Sequence, residues 1–293
     1  MGSAVPAVLP TPRFPTYESL LRPLGSWNPK RWYYAMVKSG MRSFGLRSDG
    51  IAIGLRHGFD SGVMLEYVYK NRPNGRGWLG RAIDRVYLNA PGWRGIRERG
   101  ALMKQALSAE IDRAVKTADQ VSLLDTACGG GRYILEVLAQ KKDMLLKVTL
   151  RDYRQENVDS AAALAASLGV DARVERGDAF SDDDLARVAP KPNLVVVSGL
   201  HEIIPDNALI ARHLAQLARI MARPAALIFT VQPWHPQLEF IARVLTSHTG
   251  EPWIMRLRPW SQTREWAEKA GFSVRSLTMD SQRIFGVAVA DLA

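Results

Sequence analysis

Cysteine and long apolar runs are nearly absent from this chain. Its 293 residues include a single cysteine, Cys128, so no internal disulfide can form and a reducing compartment is expected. No apolar stretch approaches the roughly 18 residues that a membrane span needs. The proline-rich start at 1–12 lacks the basic region that opens a signal peptide. We therefore expect a cytoplasmic protein.

Negative charge is scarce in the N-terminal part of the chain. Residues 1–118 hold 19 Lys and Arg but only 8 Asp and Glu, whereas residues 119–293 hold 20 and 21. The net charge of +10 therefore belongs to the N-terminal part, which indicates an anionic partner or surface. His57, His213 and His248 show no metal-ligand spacing with each other or with carboxylates, and we predict no metal site.

The most informative segment is VSLLDTACGGGRY at 121–133. A short apolar run ends at Asp125, three glycines occupy 129–131, and a helical pattern begins near Arg132. This pattern predicts a strand, a tight turn and a helix N-terminus, where glycine lets a ligand approach bare backbone. The glycine spacing departs from G-x-G-x-x-G, and a carboxylate here would repel a diphosphate. It suits a cationic ligand such as S-adenosylmethionine (SAM), with an ordinary ligand-free turn as the alternative.

Two further acids follow the next two predicted strands. Asp152 comes directly after an apolar run and lies 21 positions beyond Gly131, where it can accept hydrogen bonds from ribose hydroxyls. Asp178 follows the third strand and can accept from an adenine amino group, while the N–H of Ala179 donates to the ring. Acids at the ends of three successive strands support the SAM interpretation more strongly than one acid could.

Short apolar runs and helical patterns alternate from residue 121 onward, which predicts a doubly wound, mainly parallel sheet. Before them, the pattern predicts a short helix at 17–21, an amphipathic helix at 30–44, an exposed loop at 70–80 and a helix at 101–117. We predict two parts, a basic N-terminal arm and cap at 1–98 and a SAM-binding domain at 99–293. The strands are predicted at 123–125, 145–150, 172–176, 194–197, 225–231, 273–278 and 284–289.

Several segments beside the glycine turn carry a resemblance to a known family. They are GFDSG at 58–62, YVYKN at 67–71, IDRVYLN at 83–89, GWRGIR at 92–97, RDY at 151–153, GDAF at 177–180, VSGL at 197–200 and QPWHPQ at 232–237. With them, the chain resembles class I SAM-dependent methyltransferases over roughly residues 50–290. It is more narrowly similar to a family of bacterial methyltransferases that often occurs fused behind an α/β-hydrolase domain. Ala127 departs from the glycine of many methyltransferases, and His201 stands where relatives are expected to have tyrosine.

The resemblance implies methyl transfer from SAM on a seven-stranded, Rossmann-like sheet whose last strand is inserted antiparallel. We expect the cofactor to contact Asp125, Ala127, Gly129, Gly131, Asp152, Tyr153, Asp178, Ala179 and Ser198. Arg132 either pairs with the carboxylate of the cofactor or points to solvent.

Methyl transfer from a sulfonium needs positioning more than acid or base. The acceptor should sit near the ends of the fourth and fifth strands, where His201, Glu202 and His235 are the catalytic candidates. Either imidazole could remove a proton from an acceptor hydroxyl or amine. The alternative is that both histidines only hydrogen-bond neighbouring loops.

The acceptor is expected to be a small molecule or a lipid-like molecule. In one form of this hypothesis the acceptor is anionic. Four aromatic residues could form an apolar wall and three arginines could attract an anionic head group, or the whole segment could be an ordinary structural cap. The residues are Tyr67, Tyr69, Tyr87 and Trp93, and Arg94, Arg97 and Arg99. The basic, aromatic helix at 30–44 also suits peripheral binding to an anionic inner membrane face.

Two other functions stay open at this point. An RNA methyltransferase would fit the basic N-terminal part, but no RNA-binding module is recognisable and nucleic acid is not the expected partner. A non-catalytic SAM-binding, membrane-associated protein is the second. The acceptor atom and the oligomeric state are not predicted.

Overall fold

Seven strands form one sheet in the C-terminal part of the chain. The computed structural model describes residues 15–118, 120–142 and 144–293. The strands are β1 (Val121–Asp125), β2 (Leu146–Asp152), β3 (Arg173–Arg176), β4 (Leu194–Val197), β5 (Ala225–Val231), β6 (Ser273–Met279) and β7 (Gly286–Leu292). Their order is β3-β2-β1-β4-β5-β7-β6. Strand β7 runs in the direction opposite to the other six. The predicted doubly wound, mainly parallel sheet is confirmed, including the antiparallel insertion of the last strand.

Six α-helices precede the sheet in the described part of the chain. They are α1 (Tyr17–Leu21), α2 (Pro29–Ser43), α3 (Asp49–His57), α4 (Gly62–Lys70), α5 (Gly77–Leu88) and α6 (Pro91–Ala114). The predicted helices at 17–21 and 30–44 are confirmed. The predicted loop at 70–80 is shorter, because α4 ends at Lys70 and α5 already begins at Gly77. Helices α3 and α4 begin at serine N-caps, Ser48 and Ser61, whose hydroxyls accept backbone N–H groups.

Six more helices alternate with the strands. They are α7 (Arg132–Leu138), α8 (Gln155–Leu168), α9 (Asp182–Ala186), α10 (Asn207–Ile220), α11 (Leu238–Val244) and α12 (Trp260–Lys269). Helix α6 begins ten residues earlier than the sequence predicts, with Pro91 at its first position, where a fixed φ favours helix initiation. The predicted domain boundary between residues 98 and 99 therefore lies inside a continuous helix.

One buried carboxylate joins the helices of the N-terminal part. Asp84 of α5 is fully buried. Its Oδ1 accepts from Ser48 Oγ at 2.5 Å and from the N–H of Gly50 at 2.8 Å. Its Oδ2 accepts from Tyr67 Oη at 2.5 Å and from the N–H of Asn74 at 2.9 Å. These four bonds connect α3, α4, α5 and the loop between α4 and α5 into one unit, which we call the cap.

The cap shares a hydrophobic core with the end of the sheet domain. Phe59, Met64 and Trp93 of the N-terminal part pack in one buried cluster with Leu238 and Ile241 of α11. The cap is therefore fixed beside the segment that follows β5.

The substitution Asp84→Ala tests this arrangement. It leaves two hydroxyls and two backbone N–H groups without their acceptor, so we expect the free energy of unfolding to fall by roughly 3–5 kcal/mol. Urea denaturation followed by circular dichroism measures it. Asp49→Ala is the control, because Asp49 accepts only an exposed side-chain bond from Asn74. Equal midpoints for the two variants would contradict the role of Asp84.

Candidate functional site

A cavity of about 2300 Å³ lies between the cap and the loops at the carboxyl ends of the strands. The loops after β1, β2, β3, β4 and β5 all contribute to its lining, together with α2, α4, α5, α6 and α11. A pocket for one small ligand occupies roughly 300–1,000 Å³. The cavity therefore has room for two ligands side by side.

The glycine turn forms one end of the cavity. Gly129 and Gly131 have φ of 56° and 68°, which side chains with a Cβ rarely adopt. A Cβ added at Gly129 would meet no atom within 4 Å, so bare backbone faces open space there. The N–H of Gly129 donates to Asp152 Oδ2 at 2.9 Å, and that of Cys128 donates to the carbonyl of Arg151 at 2.8 Å. The end of β2 thus holds the turn in place.

Asp152 lies at the end of β2 and lines the cavity, as the sequence predicts, but most of its hydrogen-bond acceptor positions are already used. Its Oδ1 accepts from the N–H of Arg154 at 3.0 Å and from Asn157 Nδ2 at 2.9 Å, in addition to the bond from Gly129 at Oδ2. A carboxylate offers roughly four acceptor positions. One position is left for a ligand, which is enough for a single ribose hydroxyl.

Eight of the nine predicted cofactor residues line the cavity. Asp178 accepts from the N–H of Phe180 at 2.9 Å, and this bond fixes the loop after β3. The aromatic ring of Tyr153 is 65% exposed and lies under the guanidinium of Arg176. The eight are Ala127, Gly129, Gly131, Asp152, Tyr153, Asp178, Ala179 and Ser198.

Asp125 is the exception. It is fully buried, does not line the cavity, and accepts from Tyr133 Oη and from the N–H of Ala127 at 3.1 Å. Burial raises the pKa of its carboxyl to about 7. The expected contact between this carboxylate and a cationic donor is therefore replaced by a contact with Tyr133, because the tyrosine side chain folds back from α7 over the end of β1.

Arg132 connects the glycine turn to the cap. Its Nε and Nη2 donate to the two carboxylate oxygens of Glu66 at 2.9 and 2.6 Å. This paired geometry is the strongest form of an arginine–carboxylate contact. Arg132 also lines the cavity and its side chain is 43% exposed, so its two sequence-based alternatives, a cofactor carboxylate or solvent, stay predictions.

Glu202 and Arg99 form a buried pair at the other side of the cavity. Their Oε1 and Nη1 atoms are 3.7 Å apart, and the Arg99 guanidinium also lies 5.0 Å from the centre of the Phe285 ring. Glu202 is 8% exposed and lines the cavity, yet neither carboxylate oxygen has a hydrogen-bond partner among the described residues. A buried carboxylate in this state is poised to accept hydrogen bonds from a ligand.

His235 lines the same region but is oriented as a donor. Its Nδ1 accepts from the N–H of Gln237 at 3.0 Å, so in the neutral ring the proton is assigned to Nε2. Nε2 lies against Gly92, where a Cβ would come within 2.7 Å of it. Burial lowers the pKa of the ring to about 4. The geometry therefore gives His235 the role of a hydrogen-bond donor in place of the base expected from the sequence.

His201 is not brought to the cavity. Its Nε2 is 2.9 Å from Nδ1 of His213 on α10, and the ring is buried. Burial lowers the pKa of His201 well below its usual value and that of His213 to about 4. The two neutral rings join the loop after β4 to α10, which matches the structural alternative for His201.

The apolar part of the lining comes from the cap together with α2, α6 and α11. Tyr69, Tyr87 and Trp93 line the cavity as predicted, whereas Tyr67 is used by Asp84. Sequence reasoning missed the contribution of α2, α5 and α11, which comes from Val37, Met41, Ala82, Ile83, Val86, Phe240 and Ile241. The apolar stripe at 82, 83 and 86 was the available signal.

Arg97 provides a cation in this apolar region. It is half-buried and lines the cavity, and its Nη1 has no hydrogen-bond partner among the described residues. Arg99 also lines the cavity, whereas Arg94 does not. Within the described ranges, no three His, Cys, Asp or Glu side chains come together as metal ligands, and no helix is long and apolar enough to cross a membrane.

One family model covers nearly the whole chain. A family model described as "Putative methyltransferase" matches residues 8–292. The uncharacterized protein YnbC of Escherichia coli K12 is 40% identical over 260 residues, which are 88% of this chain and 44% of that protein. The chain thus spans less than half the length of this relative.

Solved structures share the fold at low sequence identity. A "possible exported protein" from Bordetella parapertussis has a TM-score of 0.62 at 19% identity, over 94% of this chain and 92% of that one. Magnesium protoporphyrin IX methyltransferase from Synechocystis PCC 6803, with bound SAH, has a TM-score of 0.52 at 15% identity, over 89% and 99%. An S-adenosylmethionine-dependent methyltransferase from Clostridium acetobutylicum has a TM-score of 0.50 at 11% identity, over 71% and 94%.

The buried histidines predict how stability depends on pH. The pKa values of His213 and His235 are lowered to about 4, against about 6.5 in an unfolded chain, so unfolding takes up protons below pH 6.5. Each of the two histidines should therefore lower the free energy of unfolding by on the order of 3 kcal/mol as pH drops from 6.5 to 4. The raised pKa of Asp125 acts in the opposite direction and offsets part of this fall. Urea titrations at several pH values measure this slope.

The variant His235→Gln should show a smaller pH slope than the wild type, because one buried imidazole is gone while the amide can still accept from Gln237. His57→Gln is the matched control, since His57 is exposed. Identical slopes for the wild type and His235→Gln would contradict the burial of a neutral ring at 235.

Proposed function

The chain belongs to the methyltransferase family whose model it matches, and on that premise we propose that it methylates an amphiphilic, lipid-like acceptor. It is a SAM-dependent methyltransferase on a Rossmann-like sheet. The observation that carries the proposal is the cavity of about 2300 Å³, which has a polar end at the glycine turn and an apolar end under the cap.

The residues at the polar end fit the methyl donor. The open space beside Gly129 admits a ligand against the backbone, and Asp152 keeps one acceptor position for a ribose hydroxyl. Asp178 and Ala179 line the region where the base would lie. When bound there, the donor supplies an electrophilic methyl group on a positively charged sulfur. The carboxylates of this end suit its positive charge.

The apolar end fits a large hydrophobic acceptor. A small polar substrate would leave the side chains of Ile83, Val86 and Phe240 in contact with water inside the cavity. An acyl chain or a similar apolar body would cover them and gain roughly 25 cal/mol for each Å² of apolar surface removed from water. The same body would exclude water from the reacting atoms.

The polar groups beside this apolar end define the head of the acceptor. Neither oxygen of Glu202 has a hydrogen-bond partner among the described residues, so we expect this carboxylate to accept a hydrogen bond from an acceptor hydroxyl or amine and to take the proton that this group loses. Arg99 holds Glu202 in place, and His235 can donate from Nε2. The unpartnered Nη1 of Arg97 suits an anionic group on the same acceptor.

An unbiased labelling experiment tests the proposal. The protein is incubated with methyl-labelled SAM and a cell extract that contains lipids, and the labelled product is separated and identified. We expect label in the fraction extracted by organic solvent. Label confined to RNA would support the RNA methyltransferase instead. Binding of SAM without any labelled product would favour a non-catalytic protein.

The substitution Glu202→Gln tests the acceptor site separately from the donor site. The amide cannot take a proton, so we expect kcat to fall roughly 100-fold or more. The dissociation constant for SAM, measured by calorimetry, should stay within about twofold because the glycine turn is untouched. Glu251→Gln is the control at an exposed position. Unchanged kcat in Glu202→Gln would contradict the role of this carboxylate.

A further inference from the structure

Helix α2 carries apolar side chains on two opposite faces. Tyr34, Val37 and Met41 face inward and pack against the buried cluster of the cap. Trp32 and Met36, four residues apart, face outward and are 71% and 66% exposed. A helix with one core-facing stripe normally has a polar outer face. The second stripe of α2 is therefore unexplained by folding.

Helix α5 repeats this arrangement. Trp78 and Val86 are 76% and 75% exposed, and they share a stripe with Ala82 at intervals of four residues. The inward face of α5 holds Asp84 and Leu88, which are buried. Both helices contact the 3-10 turn at Gly45–Arg47, so they lie next to the same segment of the chain.

Unpaired arginines accompany both stripes. Residues 29–88 hold eleven Lys and Arg against four Asp and Glu. All four acids are engaged inside the protein, by Asn74, His248, Arg132 and the donors around Asp84. By contrast, the exposed side chains of Arg42, Arg81 and Arg85 form no ion pair with a carboxylate in the described part of the chain.

The exposed stripe of α5 is continuous with the cavity. Ala82, Ile83 and Val86 line it from α5, and Val37 and Met41 line it from α2. Because Val86 is both exposed and part of the lining, the cavity opens to the outside at this position. An apolar chain that leaves a lipid layer at α5 would reach the cavity without crossing water.

We propose that the outer faces of α2 and α5, with Trp32, Met36, Trp78, Val86 and the arginines Arg42, Arg81 and Arg85, form a docking face for an anionic lipid bilayer. Tryptophan suits the interface between head groups and acyl chains, and the arginines bind anionic head groups. Nucleic acid would use the arginines but leave the apolar stripes without a partner. The docking face does not depend on the identity of the acceptor, because it concerns binding rather than methyl transfer.

Vesicle sedimentation tests the proposal without any methyl donor. The full chain is mixed with vesicles of phosphatidylcholine alone, or of equimolar phosphatidylcholine and phosphatidylglycerol. We expect it in the pellet with the anionic vesicles and in the supernatant with the neutral ones. Binding should weaken as salt rises, because surface charges are screened.

Two variants probe the two components of the docking face. Arg81→Glu combined with Arg85→Glu should lower the partition coefficient roughly 30-fold or more, since each basic residue near an anionic surface contributes about fivefold. Trp78→Ala should lower it roughly tenfold. Circular dichroism confirms that both variants fold.

Matched controls lie near the start of β2, at the opposite end of the strand from the cavity. Leu145 is 84% exposed, and Lys142 and Lys147 are exposed near the start of β2. Leu145→Ala and the pair Lys142→Glu with Lys147→Glu should bind vesicles like the wild type. Equal losses in the controls and the docking-face variants would overturn the proposal.

Two other outcomes would also overturn it. Recovery of the wild type in the supernatant with both vesicle types excludes membrane docking. If the wild type then self-associates with rising concentration and Trp78→Ala does not, the same face is an interface between copies of the chain. Methyl transfer to the identified acceptor, measured in detergent solution, would remain intact in either case, so this failure is distinct from failure of the proposed function.

Discussion

The four hydrogen bonds received by the buried carboxylate of Asp84 hold the cap together, and the cavity depends on the cap. Helices α3, α4 and α5 are short, and isolated helices of this length are marginal in water. They stay folded because the carboxylate of Asp84 on α5 accepts hydrogen bonds from the start of α3, from α4 and from the loop between α4 and α5. Without the cap, the ends of the strands would be open to solvent, as they are in an uncovered α/β sheet.

The two ends of the cavity differ in chemical character. At the glycine turn, backbone and carboxylates present a polar surface that suits a charged nucleoside. Under the cap, apolar side chains surround a few polar groups, and among these the Glu202 oxygens have no hydrogen-bond partner in the described residues. The Arg132–Glu66 pair connects the two ends, since it joins the turn to α4. Methyl transfer requires such an arrangement, because alignment of donor and acceptor contributes most of the rate enhancement.

The sheet and the polar end of the cavity could largely be predicted from the sequence. The strands at 194–197 and 225–231 were predicted with their observed bounds, because apolar runs of β-branched residues are flanked by clear turn residues. Asp152 and Asp178 line the cavity as predicted, since parallel strands deliver their carboxyl ends to one edge. Asp125 differs because its direction depends on Tyr133, which is a contact between side chains rather than a pattern along the chain.

The cap and the apolar end of the cavity could not be predicted in the same way. Helices α3, α4 and α5 contain glycines and are only 9, 9 and 12 residues long, and Asp84 stabilises them through tertiary contacts. The sequence placed His201, Glu202 and His235 together, but only the fold distinguishes a ring bonded to His213 from a buried carboxylate that lines the cavity without a hydrogen-bond partner among the described residues. Burial and hydrogen-bond direction decide these roles, and neither can be read from residue type.

A crystal structure with S-adenosylhomocysteine and a long-chain amphiphile tests the central claim most directly. We expect the nucleoside to bind at Gly129, Asp152 and Asp178. The apolar chain should lie between Ile83, Val86 and Phe240, with its polar head near Glu202. A nucleoside bound elsewhere, or an amphiphile absent from the space under the cap while the nucleoside is present, would contradict it.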